Sequence, residues 1–443
     1  MASKIDLDLQ LLTPAFIGGA RFRRADTEMP FRPPSVRGVL RWWFRAALAG
    51  VMWPNYTPKG DADQRSKDEE KYLDELRRLE SLVFGSTERA SSVVLGIPRG
   101  ALVKRLDQPS RHSQPGLLYL GYGVFDGGAD AVVSDPGSPI HLPLMLTHRA
   151  APGVLEVLSA TLWLWTHLGG IGARLRRGWG SIGALGASGL TWGGPAFGLV
   201  AADPEAARRN LELGISHTKD VFERFVEQHA PKWLGKGERP LETIRTLDDI
   251  VVVDGLAKLH RTPEEALETA GSLFLNYRNT LARRAVGLPP LPDYFAVKEA
   301  MTRGRGQPAA PISRAAFGLP LPFYFRSLQN DKSTVYPDLP KAKGRGKSEQ
   351  LDRLASPLFF RVIRVKQGAA IKYTTVFVDF SGPGEQPKKG GGVTPAGIRA
   401  FSGLNLVLEH HRQDIPVAST DGSIIRKFIE WAKDAERRQP GGR

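Results

Sequence analysis

Hydrophobic and polar residues alternate along the first dozen positions of the chain. The apolar positions of this segment are Ile5, Leu7, Leu9 and Leu11. Polar residues stand between them, and a period of two is typical of a strand with one buried face. The pattern predicts a β-strand over residues 5–11.

A helical pattern follows Pro33 and Pro34, with Ser35 as a suitable N-cap and Gly50 as a suitable stop. At 100° per residue, this helix has one apolar face and one basic face. The basic face carries Arg37, Arg41 and Arg45. Trp43 falls on the core side, whereas Trp42 falls on the open side beside Arg45.

The remaining patterns of the first half predict two helices and three strands. The helices are expected at 61–83 and 153–168, and the strands at 92–98, at 117–125 and after residue 181. The resulting order of strand, helix, strand, strand, helix and strand is that of a ferredoxin-like unit.

The second half predicts fewer elements. Helices are expected at 263–284 and 423–437, and a strand pair at 356–365 and 371–380. Short segments rich in glycine, proline and basic residues are predicted to be loops at 303–311, 341–348 and 387–392. A length of 443 residues suits two domains of about 200 residues each.

The net charge of the chain indicates which kinds of partner it is expected to bind. The chain has 61 Lys and Arg against 46 Asp and Glu, a formal net charge of +15. Such an excess favours a polyanion, either nucleic acid or an anionic membrane surface, although a basic soluble protein would also show it. Cysteine is absent, so disulfides and thiolate zinc sites are excluded. With no apparent signal peptide or membrane span, we expect a cytoplasmic protein that does not bind membranes.

The segment 167–183 combines clustered glycines with clustered arginines. Glycines allow close approach of a ligand to the backbone, and guanidinium groups grip phosphate at two points. A tryptophan in the same loop can stack on an exposed base. The candidate RNA-binding residues of the loop are Gly169, Gly170, Gly172, Arg174, Arg176, Arg177, Gly178 and Trp179. The alternative is a solvated basic turn with Trp179 in the core.

The basic face of the predicted helix adds Arg37, Arg41, Trp42 and Arg45 as candidates. Because residues 29–60 contain no Asp or Glu, no ion pair within this segment can neutralise the arginines. The alternative is an ordinary hydrated helix face.

Catalytic and metal-binding patterns are missing. The GWGSIG run at 178–183 does not lie between a strand and a helix start, so we discount it as a nucleotide site. We expect no cofactor, no metal site and no catalytic residues. The alternative is a metal-independent endoribonuclease, for which His167 is the nearest histidine to the basic loop.

Four segments together resemble the RAMP-superfamily subunits of the type III-B CRISPR effector, the Cmr complex, and its subunit-one family in particular. They are LTPAFIGGA (12–20), RPPSVRGVLRWWFRA (32–46), YLGYG (119–123) and WTHLGGIGARLRRGWGS (165–181). The resemblance implies an α+β protein of two tandem ferredoxin-like (RAMP- or RRM-like) domains, with antiparallel sheets and inserted helices and loops. We place the domains at 1–190 and 191–443.

The resemblance also implies a non-catalytic RNA-binding structural subunit of an RNA-guided interference complex. Its partners would be the guide RNA, the target RNA or both, at the end distal to the 5′ tag, together with other RAMP subunits. The glycine-loop and helix residues named above would contact RNA. In the second domain the nearest counterpart of the loop is KKGGGVTPAGIRAF (388–401), which lacks the arginine cluster.

Overall fold

The structure is a computed structural model of the whole chain. It describes residues 3–19, 24–52, 62–125, 128–134, 139–234, 246–250, 252–279, 283, 287–289, 291–303, 312–318, 321–329, 331–338, 355–381, 405–410, 413–417 and 423–438.

The described helices are α1 (Pro33–Val51), α2 (Ala62–Phe84), α3 (Pro115–Leu120), α4 (Val154–His167), α5 (Pro204–His229), α6 (Pro263–Arg278), α7 (Pro292–Arg303) and α8 (Ser423–Arg438). The described strands are β1 (Ser3–Leu11), β2 (Val93–Leu95), β3 (Ala101–Leu106), β4 (Ala129–Ser134), β5 (Ile140–Leu146), β6 (Ile182–Ser188), β7 (Val252–Gly255), β8 (Leu321–Phe325), β9 (Asp331–Asp338), β10 (Leu358–Gln367), β11 (Ala370–Asp379), β12 (Asn405–His410) and β13 (Gln413–Val417). The fold is therefore mixed α+β.

Contacts divide the chain into two compact units. The first contains residues 1–248, 253–271 and 360–378, and the second contains residues 249–252, 272–359 and 379–443. Neither unit is one continuous stretch of the chain, because β10 and β11 lie largely in the first unit although they come late in the sequence. The division at residue 190 stays a prediction.

The first unit is built on an antiparallel sheet with the order β2-β5-β1-β6. In β1 the residues Ile5, Leu7, Leu9 and Leu11 are buried, so the alternating pattern predicted this strand correctly. Leu7 lies opposite Leu142 of β5. A two-stranded sheet of β3 and β4 and a three-stranded sheet with the order β10-β11-β7 accompany it.

Helices α1, α4 and α5 pack together in the first unit. Almost every side chain of α4 is buried, and its Trp163 indole occupies the space that a Cβ at Gly214 of α5 would fill. Phe44 of α1 contacts Phe222 of α5, with ring centroids 5.2 Å apart. This packing fixes the two elements that carry the predicted RNA-binding residues, because the loop at 169–181 begins where α4 ends.

The second unit contains the antiparallel sheet β13-β12-β9-β8. Phe325 of β8, Val335 of β9, Val297 of α7 and Ile312 form a buried cluster. The Asp293 carboxylate is fully buried and pairs with Arg314 at 2.7 Å.

Most predicted elements are confirmed, including α2, α4, β6, β10, β11 and α8. The predicted strand at 117–125 is wrong, because Pro115–Leu120 is a helix. Pro115 occupies its first turn, and the Glu268 carboxylate accepts the N–H groups of Gly116 and Leu117 at 3.0 and 2.7 Å. This cap is 151 residues away in sequence, so no local pattern could reveal it.

Helix boundaries differ by a few residues. Helix α1 begins at Pro33 with Arg32 as its N-cap, and not at Ser35. Proline is tolerated in the first turn because the N–H groups there have no partner within the helix, so the missing N–H of proline costs no hydrogen bond. Helix α6 ends at Arg278, before the predicted residue 284. Apart from Arg303, the loops predicted at 303–311, 341–348 and 387–392 lie outside the described residues. No helix of the described residues is both long and apolar enough to cross a membrane.

Candidate nucleic-acid interface

The loop at 169–181 is fixed at both ends by backbone hydrogen bonds. The Ile171 N–H donates to the Gly180 carbonyl at 3.0 Å, and the Gly180 N–H donates to the Pro14 carbonyl at 2.9 Å. The buried Thr13 hydroxyl donates to the Gly178 carbonyl at 2.6 Å. The loop is therefore a structured part of the first unit, bound to the segment that follows β1.

The loop's glycines serve its own packing. Gly172, Gly178 and Gly180 have φ angles of +89°, +85° and +67°, a region that favours glycine. A Cβ at Gly169 would collide with the Trp43 indole, and one at Gly170 would collide with the Gly180 carbonyl. These contacts explain the glycines without a ligand. Contact of Gly169, Gly170, Gly172 and Gly178 with RNA stays a prediction.

Trp179 is a core residue, which corrects its predicted role in base stacking. Only 3% of its surface is exposed. Its ring packs against Phe16 and Phe125 at centroid distances of 5.2 and 5.3 Å, and those two rings are also 5.2 Å apart. The sequence favoured stacking of Trp179 on an RNA base because arginines surround it in the chain. In the fold, Phe16 and Phe125, from two distant segments, enclose its ring.

The three loop arginines have different surroundings. Arg174 is exposed, adopts φ +61° and donates to the Tyr122 carbonyl. Arg176 is half-buried, with its guanidinium carbon 5.8 Å from the centroid of the Trp42 ring. Arg177 is also half-buried and lies 5.9 Å from the centroid of the Phe360 ring.

The contact between Arg176 and Trp42 joins the loop to the basic helix. The guanidinium of the loop and the indole of α1 therefore belong to one continuous surface. Trp43 is 1% exposed and belongs to the core, as predicted, whereas Trp42 is half-buried on the outer side. The two indoles meet edge to face at a centroid distance of 4.9 Å.

The arginine stripe of α1 is partly neutralised by a residue from outside its own segment. Arg41 and Arg45 approach the same Glu80 carboxylate at 2.6 and 3.2 Å. Glu80 is 3% exposed and comes from α2, outside the segment in which no acidic residue was found. One carboxylate serves two guanidinium groups, so this cluster retains one net positive charge. Arg37 is half-buried on the same helix.

Tyr122 is a further candidate that the local sequence pattern did not identify. Its side chain is 72% exposed, in the turn after α3, and its carbonyl accepts the hydrogen bond from Arg174. A tyrosine flanked by Gly121 and Gly123 was the available signal, but the segment was predicted to be a strand. We define the basic–aromatic surface as Trp42, Tyr122, Arg174 and Arg176.

A family profile described as the RAMP superfamily matches residues 8–182. Residues 8–182, here called the RAMP region, are therefore similar to the RAMP superfamily. The RAMP region runs from β1 to the start of β6, and it contains all four residues of the basic–aromatic surface.

Two relatives from Pyrococcus furiosus match the chain. CRISPR system Cmr subunit Cmr1-2 is 27% identical over 198 residues, which is 40% of this chain and 91% of that protein. CRISPR system Cmr subunit Cmr1-1 is 30% identical over 154 residues, which is 34% of this chain and only 39% of that protein.

Two solved structures are similar over nearly the whole chain. The crystal structure of Cmr1 from Pyrococcus furiosus in its apo form has a TM-score of 0.47 and 18% identity, covering 98% of this chain and 96% of that one. The cryo-EM structure of the type III-B Cmr-beta bound to cognate target RNA has a TM-score of 0.46 and 13% identity, covering 98% and 100%.

His167 of the RAMP region is held at the end of α4. Its Nδ1 lies 2.9 Å from the Trp163 carbonyl oxygen, and its ring stacks on the Trp163 indole at a centroid distance of 4.4 Å. Burial lowers its pKa to about 3, outweighing the hydrogen bond to Trp163, and the charges of Arg361 and Arg364 lower it further. His167 is therefore neutral near pH 7, and its ring is bound within the last turn of α4. Among the described residues, no group of three or more His, Asp or Glu could hold a metal ion.

Proposed function

We propose that this chain is a non-catalytic RNA-binding structural subunit of a type III-B CRISPR RNA-guided interference complex. The names of its two relatives, both Cmr subunits, and the RAMP region support this role. The proposed partners are the guide RNA, the target RNA or both, together with other RAMP subunits, in the cytoplasm. We place the RNA contact at the end of the complex distal to the 5′ tag.

The observation that carries the RNA-binding role is the Arg176 guanidinium beside the Trp42 ring, 5.8 Å from its centroid. It brings the loop and α1 into one surface that combines guanidinium groups with aromatic rings. Single-stranded nucleic acid is held by such surfaces, because cations contact phosphates and rings stack on bases of any sequence.

Two roles, base stacking and phosphate contact, are proposed for residues of the basic–aromatic surface. The surface has two aromatic side chains, and Tyr122 is the more exposed of them. Tyr122 would therefore stack on a base, a role that the buried Trp179 cannot perform. Arg174 and Arg176 would donate to phosphate oxygens. Arg37, Arg41 and Arg45 would add attraction from α1, reduced by Glu80.

We also propose that the first unit contains a ferredoxin-like domain. Strand β1 is central in the sheet, between β5 and β6, and α1 and α4 connect strands in the β-α-β-β-α-β order when the inserted elements α2, β3, α3 and β4 are set aside. A second ferredoxin-like domain stays a prediction, because the sheet of the second unit has the meander order β13-β12-β9-β8 and not the ferredoxin-like order.

Crosslinking tests this proposal directly. The full chain is irradiated with labelled single-stranded RNA, and the crosslinked peptides are mapped. We expect crosslinks in the peptides that contain Tyr122, Trp42 and residues 173–177. Tyr122→Leu should remove the first of these and leave the others.

The matched control is Tyr119→Leu, in the same peptide but on α3, which should leave the crosslinks unchanged. Crosslinks confined to other parts of the chain would contradict the proposal.

A further inference from the structure

A small cavity of about 70 Å³ lies inside the first unit, and no residue of the basic–aromatic surface lines it. The end of α4, the start of β6, residues 195–201, α5 and β10 form its walls. Trp163, Phe197 and Leu211 make much of this wall apolar. An apolar wall with a few convergent polar groups is the usual make-up of a ligand site.

Arg361 of β10 supplies the first polar group. Its side chain is buried, with only 2% of the residue exposed. Its Nε donates to the His167 carbonyl at 3.0 Å, and one terminal nitrogen donates to the Thr166 carbonyl at 2.7 Å. The other terminal nitrogen has no hydrogen-bond partner among the residues that the structure describes. Capping the end of α4 therefore explains two of its nitrogens and leaves the third available.

Arg364 supplies a second cation on the same strand. It is half-buried, lines the same cavity and donates to the Ala184 carbonyl. Burial lowers the pKa of both guanidinium groups, and the charge of Arg364 further lowers the pKa of Arg361, to about 9.

No acidic side chain is found among the described residues that line this cavity. Holding two like charges in a desolvated site is unfavourable unless an opposite charge accompanies them. The amide of Asn210 adds a neutral donor to the same wall. The cavity thus combines two guanidinium groups and an amide, which is the donor set for an oxyanion with several acceptor oxygens.

We propose that this cavity binds a phosphate-class oxyanion between Arg361 and Arg364. The Arg361 nitrogen without a partner contributes one donor, and Arg364 contributes the second charge. The source of the oxyanion is either inorganic phosphate or the terminal phosphate of an RNA strand. This inference does not depend on the proposed RNA-binding role, because it rests on different residues.

Phosphate-dependent unfolding of the full chain tests the proposal. The thermal midpoint is measured against inorganic phosphate at constant ionic strength, balanced with sodium chloride. Because a ligand that binds only the folded state stabilises it, we expect a saturable rise in the midpoint. Arg364→Met should raise the apparent Kd for phosphate at least tenfold.

Two further variants separate binding from folding. Lys366→Gln removes the same charge from the same strand outside the cavity and should leave the Kd unchanged. Leu199→Glu adds a carboxylate at an exposed position of the cavity wall, where folding is not at risk, and should weaken phosphate binding at least fivefold. A midpoint that does not respond to phosphate, or an equal response in the wild type and the Leu199→Glu variant, would overturn the proposal.

Competition identifies the source of the oxyanion. A short RNA with a terminal phosphate and the same RNA with a terminal hydroxyl are compared as competitors of inorganic phosphate. Competition by the phosphorylated strand alone assigns the site to an RNA end, and competition by neither strand assigns it to free phosphate. If the proposed RNA-binding function were wrong, the response of the cavity to inorganic phosphate would be unchanged. The failure of that function and the failure of the phosphate site can therefore be distinguished.

Discussion

The loop at 169–181 and the arginine stripe of α1 carry the same residue type in adjoining parts of the fold, but their guanidinium groups have different partners. Arg41 and Arg45 share the buried carboxylate of Glu80. Arg174 contacts a backbone carbonyl, and Arg176 contacts an indole ring. A carboxylate that serves two guanidinium groups compensates part of their charge within the protein, so Glu80 reduces the positive charge of the stripe. The charge that α1 offers to a phosphate is therefore smaller than its three arginines alone suggest.

The largest expected effect separates the buried ring of Trp179 in the loop from the exposed ring of Tyr122 in the turn after α3. Trp179→Ala removes a buried ring and should lower the free energy of unfolding by about 4 kcal/mol. Tyr122→Ala removes an exposed ring and should change it by less than about 0.5 kcal/mol. RNA affinity should fall about tenfold in Tyr122→Ala, through the loss of one stacked base. Denaturant unfolding and a binding titration measure both quantities.

A stable Trp179→Ala variant with reduced RNA affinity would reverse this assignment, because the ring would then contact RNA and not the core.

The next effect concerns the end of α4, where the loop begins. The pKa of His167 is lowered to about 3 in the folded state and is about 6.5 when unfolded. The unfolded chain therefore binds more protons between these values, and folding loses stability as the pH falls below about 6.5. Relative to the His167→Gln variant, the wild type should lose up to about 2 kcal/mol between pH 6.5 and 5.

The free energy of unfolding at several pH values measures this difference. The exposed residue His112 provides the control, and His112→Gln should show the same pH dependence as the wild type. A constant difference between the wild type and His167→Gln across this range would contradict the buried, neutral state of His167.

A smaller effect tests the stripe itself. Glu80→Gln removes the charge shared by Arg41 and Arg45, and we expect a loss of about 1 kcal/mol in the free energy of unfolding. The loss is modest because both arginines are partly exposed, at 38% and 47% of their side chains, and water screens them. RNA affinity should rise slightly, because the stripe gains one net positive charge.

The matched control is Asp74→Asn, which removes the same charge from an exposed ion pair of the same helix. If Glu80→Gln and Asp74→Asn gave equal RNA affinity, the stripe of α1 would lie away from the RNA.

The sequence predicted the elements whose local pattern matches their burial. β1 alternates strictly, and α4 is apolar and ends at a glycine pair, so both were correctly placed. The arginines of the loop and Trp42 were also identified from sequence, and the structure brings Arg176 and Trp42 together.

The main features that the sequence did not reveal involve partners that are distant in sequence. Glu268 caps α3, Glu80 pairs with the stripe, and Phe16 and Phe125 enclose Trp179. Each contact depends on a residue that lies outside the local segment. Local patterns therefore identified the arginine clusters and the aromatic residues near them. Only the fold shows which of these side chains pair with or pack against distant parts of the chain.

The salt dependence of RNA binding tests the central claim most directly. The dissociation constant of the full chain for single-stranded RNA is measured over a series of salt concentrations, for the wild type and for the double variant Arg174→Ala, Arg176→Ala. Each lost phosphate contact should flatten the slope of log Kd against log salt by about 0.7. We predict a slope flatter by about 1.4 for the double variant. The control Arg77→Ala, Arg209→Ala, which removes two exposed helix arginines, should keep the wild-type slope. Equal slopes for the wild type and the loop variant would contradict the claim that these arginines bind RNA.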